Sequence, residues 1–172
     1  MIGKILKFAI LAVFVIIFSL NVVRAEVYNG KVLQTGISLT ELVPSVFFGT
    51  WRVESVLTET NSPSNFKKKN IDIWNLSKEG NVINLSNPFS GASASITLSY
   101  VENGVIRFTK IGNYNGRVLT DTVELNMNGG TFVGVNELTL ETLSDIDNSI
   151  IKTAKATYSL KGEKIAGESI GE

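Results

Sequence analysis

The chain has 172 residues, 16 of them basic and 16 acidic, with neither cysteine nor histidine. That length fits one domain with a short appendage. The missing cysteines exclude disulfides, thiolate nucleophiles and Cys/His zinc sites, and the missing histidines remove the usual general base, so no enzyme and no cofactor is expected.

Residues 1–25 read as an export signal. Lys4 and Lys7 form a basic start, Phe8 to Leu20 is an apolar run broken only by Ser19, and Val23-Arg24-Ala25 supplies a small-residue cleavage end. The 13 residues of that run make about 20 Å of helix, short of the roughly 30 Å hydrocarbon core of a bilayer. The alternative is an uncleaved anchor extended through Val22 and Val23, the one membrane contact the sequence suggests. Cleavage removes Lys4, Lys7 and Arg24 and no acid, leaving 147 residues (Glu26 to Glu172) with 13 basic and 16 acidic side chains, a net charge of −3. A mildly acidic domain lacks the clustered basic face that nucleic-acid binding needs. Export without cysteine points to a bacterial periplasmic or secreted protein.

Residues 26–45 are expected to form an N-terminal arm ending in a short helical turn over Leu39 to Val46, capped by Ser38 or Thr40. From there to about residue 161 the chain is punctuated by turn chemistry: Glu79-Gly80-Asn81, Asn87-Pro88 to Gly91, Glu102-Asn103-Gly104, Asn113 to Gly116, Asn128-Gly129-Gly130, and Asp145 to Ser149. The segments between are rich in Val, Ile, Thr, Phe and Tyr and predict eight strands, at about 49–60, 71–77, 82–86, 93–101, 105–111, 118–127, 131–142 and 150–160. Ala94, Ile96, Leu98 and Tyr100 alternate with serine and threonine; Val123, Leu125 and Met127 alternate with Thr122, Glu124 and Asn126. One face buried and one wet is the antiparallel pattern. The short loops predict an all-β, eight-stranded up-and-down barrel over residues 46–161, closed so that no sheet edge is bare, followed by a tail over 162–172. A sandwich is the alternative, and it needs a long crossover that the loops do not provide.

Gly49-Thr50-Trp51, at the start of the first strand, resembles the G-x-W signature of lipocalin-like and other calycin barrels. In that likeness the glycine lets the chain bend into the barrel and the tryptophan plugs its closed end, so Gly49 and Trp51 are read as structural. The resemblance also implies an arginine late in the last strand, packed over the tryptophan; only Lys152, Lys155 and Lys161 stand in the predicted strand or at its end. Thr120-Asp121-Thr122 is similar to the T-D-Y loop of lipocalins but falls at the start of the sixth strand.

The resemblance makes the lumen the first candidate site. Small residues at inward positions, Ser55, Ala92, Ala94, Ala154 and Ala156, favour open space, with Tyr100, Phe108, Phe132 and Tyr158 as walls and Ser55, Asn75 and Tyr158 as orienting polar groups. A lumen filled by its own side chains is the other reading. Lys67-Lys68-Lys69 is either a solvated loop or a patch that steers an anion. Asp145 to Ser149 has the alternating oxygens of a calcium loop but not its glycine or distant glutamate, so a plain turn and no metal is expected. Among Glu54, Glu59, Asp72, Glu124, Glu137 and Glu141 no facing pair stands out as glycosidase machinery. The expected function is non-catalytic binding of a small hydrophobic or amphipathic ligand; the alternative is a protein partner, for instance through inhibition of a secreted hydrolase with Glu26 to Ser38 as an extended arm.

Overall fold

The computed structural model describes residues 38–167 and, in a separate N-terminal unit, a short antiparallel pair of β1 (Val27–Tyr28) with β2 (Lys31–Val32). The expected export signal and positions 26, 29–30 and 33–37 of the expected arm lie outside the described residues. Two 3-10 turns come next, Leu39–Glu41 and Ser45–Phe47; Ser38 caps the first, its hydroxyl accepting from the amide of Thr40.

Eight strands then run in order: β3 (Gly49–Thr60), β4 (Lys69–Glu79), β5 (Val82–Ser86), β6 (Ser93–Glu102), β7 (Val105–Tyr114), β8 (Arg117–Asn128), β9 (Thr131–Leu143) and β10 (Ile150–Ala166). Each pairs antiparallel with the next, and β10 returns to pair with β3, so the sheet closes into an up-and-down barrel. The expected architecture is therefore present, and the sandwich is excluded. Asn103-Gly104 and Asn115-Gly116 make two of the tight connections with positive φ at both residues, 52° and 79°, then 47° and 70°. Such turns match the right-handed twist of the strands they join.

One end of the barrel is solid. Phe47, fully buried, enters from the second 3-10 turn and meets Phe48 and Phe108 edge-on at 5.7 and 6.3 Å. Trp51 is equally buried, and its indole N–H donates to the Phe47 carbonyl at 3.0 Å. Phe132 fits between the Trp51 and Trp74 rings, 5.2 and 6.1 Å from their centres. Gly49 holds φ at 123°, and a Cβ there would lie 2.6 Å from the Ala166 carbonyl oxygen, so only glycine lets the chain bend into β3 against the end of β10.

Three local expectations change. β10 runs on to Ala166, past the expected end near 160, because Gly162 leaves the space that the Phe132 ring fills. That extension brings in Lys164, only 7% exposed, whose ammonium sits 5.6 Å over the Trp51 ring and donates to the Val46 carbonyl at 2.9 Å. A cation does cover the tryptophan, but it comes from beyond the predicted strand. In β6 a register shift between Leu98 and Tyr100 inserts an extra residue. Val101 then faces the fully buried Ile106, while Tyr100 is turned to the outer face opposite Arg107 and donates to Glu102 at 3.1 Å. Tyr100 is not a lumen wall.

Candidate functional site

Among the described residues the other end of the lumen is open. Above the aromatic plug lies a cavity with two limbs that share Asp72, Trp74, Lys110, Leu119 and Asp121 in their walls. The wider limb, about 370 Å³, rises along β3, β9 and β10 past Ser55, Asn136, Leu138 and Tyr158 to Phe66 and Lys67 at the rim. The narrower limb, about 250 Å³, lies between Ala94 of β6 and Ile111 and Gly112 of β7. Its origin is a parting of the sheet. β6 and β7 pair from Glu102↔Val105 up to Thr97↔Thr109 and no further, although β6 continues back to Ser93 and β7 on to Tyr114.

Where lumen meets plug, a polar belt crosses the barrel. Alternation on β8 puts Asp121 on the face of the buried Val123 and Leu125; on β7, Lys110 shares the face of Ile106 and Phe108; on β4, Asp72 shares that of Trp74. The Lys110 ammonium lies 2.8 Å from Asp121 Oδ2 and 6.0 Å over the Trp74 ring. Asp72 Oδ1 accepts from the Asn87 side-chain amide and from the Ile73 N–H. The Tyr158 hydroxyl donates to the Lys67 carbonyl at 3.0 Å, and burial pushes its phenol above the ordinary value.

Two belt atoms stand apart. Asp121 Oδ1 and Asn136 Oδ1 are buried and have no hydrogen-bond partner among the described residues, on residues only 4% and 8% exposed, respectively. An unpartnered buried polar atom costs roughly 1–3 kcal/mol, more when charged. No family model, curated protein or solved structure matches this chain. The chemistry of the site therefore rests on its own residues.

Ser55, Ala94 and Tyr158 line the cavity. Ala156 is buried at an inward position opposite Leu138, outside the cavity lining. Phe108 and Phe132 are sealed in the core, 0% and 2% exposed, and belong to the plug beneath the lumen. Asn75 alternates with the buried Trp74 and Leu76, so it lies on the outer face, where its Oδ1 accepts from the Thr50 hydroxyl at 3.4 Å. In the basic loop only Lys67 reaches the cavity; Lys69 pairs with Glu54 at 2.9 Å, which holds that carboxyl below its ordinary range. Asp147 closes its own turn, accepting from the Ser149 amide and hydroxyl, which lowers its pKa. Among the described residues no cluster of acidic side chains is arranged to hold a metal ion.

Of the belt residues, Lys110 and Asn136 are not singled out by the sequence, Asp121 only within the Thr120-Asp121-Thr122 likeness, and Asp72 only as one carboxylate among several. A signal was present. Each polar side chain interrupts an apolar alternation: Ile106-x-Phe108-x-Lys110, Asp121-x-Val123-x-Leu125 and Asn136-x-Leu138. The register lines these interruptions up, Lys110 opposite Asp121 and Asn136 opposite Tyr158.

Proposed function

We propose that this chain is an exported, lipocalin-like barrel that holds one small hydrophobic or amphipathic molecule in its lumen and performs no chemical step on it. The observation that carries the reading is a lumen open at one end above a dry aromatic floor, walled by Trp74, Leu119, Leu138 and Phe66 and crossed by a few polar groups. Apolar burial gives such a site its affinity and the polar groups its orientation. The likeness to lipocalins is supported by the bend at Gly49, the plug at Trp51 and the Lys164 ammonium over that ring. The open lumen favours this reading over a protease-inhibitor role.

The test is uptake of the neutral dye Nile red by the purified protein and by Ala94→Trp, whose indole would enter the narrower limb. Uptake by the native chain that falls several-fold in the variant, with the melting temperature retained, is the expected result. Failure of the native protein to take up the dye, with a bare chain in native mass spectrometry of the protein from its own envelope fraction, would sink the proposal.

A further inference from the structure

We propose that the lumen selects a protonated amine carried on a small apolar or aromatic body, an inference that rests on the ligand-binding reading above. Asp121 and Asn136 carry the argument. Both line the wider limb, both are more than nine-tenths buried, and each carries a side-chain oxygen that no donor among the described residues satisfies. The register places them together: Asp121 faces Leu138 and Val123 faces Asn136, so Asp121 and Asn136 are diagonal neighbours on the inner face of β8 and β9. Diagonal pairs lie roughly 7–8 Å apart along the backbone, within reach of one shared partner.

That partner has to bring donors and no acceptors. An ammonium does so, with three N–H groups and no lone pair left to match. A carboxylate or phosphate brings only acceptors and would face Asp121 and Asp72 across the belt. The charge count agrees in sign. Two carboxylates, Asp72 and Asp121, stand against one ammonium, Lys110, which is already engaged with Asp121 Oδ2. A bound cation neutralises the remainder. Lys67, the other cation in the lining, is exposed at the rim, where solvent screens it. Above the belt, Trp74, Leu119 and Leu138 give an apolar wall to the ligand's body, and about 370 Å³ holds an arylalkyl chain of modest length.

A matched pair of probes tests this. Phenylbutylamine and phenylbutyrate share ring and chain and differ in the sign of the head group; binding is followed by calorimetry on the full-length native protein. The amine is expected to bind at least about ten-fold more tightly, the range of a charge-assisted hydrogen bond. Asp121→Asn should weaken the amine by roughly ten- to a hundred-fold and should not weaken phenylbutyrate, so that the preference for the amine is lost. Lys110→Met removes the competing cation and should tighten amine binding, an effect of opposite sign that loss of structure does not produce. Equal or tighter binding of the carboxylate, or amine binding indifferent to both substitutions, would overturn the inference while leaving the lumen reading intact so long as Nile red still binds. If neither probe nor the dye binds, both fall.

Discussion

Substituting Gly162 by alanine sets two physical effects of opposite sign against each other. In a strand, glycine costs roughly 0.5–1 kcal/mol relative to alanine through the freedom it loses on folding, so by propensity alone the change stabilises. The packing says the reverse. A Cβ on Gly162 would sit 2.1 Å from one carbon of the Phe132 ring and 2.2 and 2.5 Å from two more. To reach an ordinary carbon contact of ~3.5 Å the ring has to withdraw by about 1.4 Å. It has nowhere to go, being 2% exposed and held between the Trp51 and Trp74 rings. Overpacking of this kind costs about 1–3 kcal/mol, and the trapped ring puts Gly162→Ala toward the upper end. The expected outcome is a melting temperature lower by about 10 °C, read by circular dichroism. In a Phe132→Leu background, where the ring is gone, the same substitution should cost at least ~1 kcal/mol less. A neutral or stabilising Gly162→Ala would refute the fit between Gly162 and Phe132, and with it the account of why β10 extends to Ala166.

Two further substitutions probe the closed end and the rim. Lys164→Met keeps most of the side chain's length but leaves the Val46 carbonyl without the ammonium and the Trp51 face without its cation; a loss of about 1–3 kcal/mol in urea denaturation is expected. Tyr158 is an acid whose folded pKa is raised by burial, so its contribution to stability is present below its unfolded value of about 10 and is lost as pH rises through the folded value. Tyr158→Phe should therefore flatten the alkaline decline of the melting temperature, and it should remove a late-ionising component from the phenolate absorbance titration of the native protein.

The strand plan was legible because its punctuation is chemical. Asn103, Gly104, Asn115 and Gly116 sit where positive φ is required, and little else tolerates it. The bulge in β6 was not legible: Ala94 to Tyr100 alternates without a break, and the extra residue shows only through the partner strand, where Val101 falls opposite Ile106. The end of β10 was hidden for a related reason. Gly162 reads as a strand breaker until the Phe132 ring is seen to occupy the missing Cβ. At the site, the small inward residues Ser55 and Ala94 line the cavity, whereas the polar belt is hidden in the sequence because a polar side chain on a strand looks solvated by default. Lys110, Asp121 and Asn136 become informative only once register sets them at one level of a closed sheet.

The pairing of β10 with both β9 and β3 also sets the order of events in time. Until the last strand is in place, β3 and β9 are bare edges of an open, curled sheet, each offering unpaired amides and carbonyls to any other chain nearby. The contacts that close it are among the most distant in sequence, Lys164 reaching Val46 across 118 positions, and such pairings form slowly because a long loop has to be closed first. The barrel thus closes only once β10 is available, and until then the chain depends on whatever keeps two sticky edges apart.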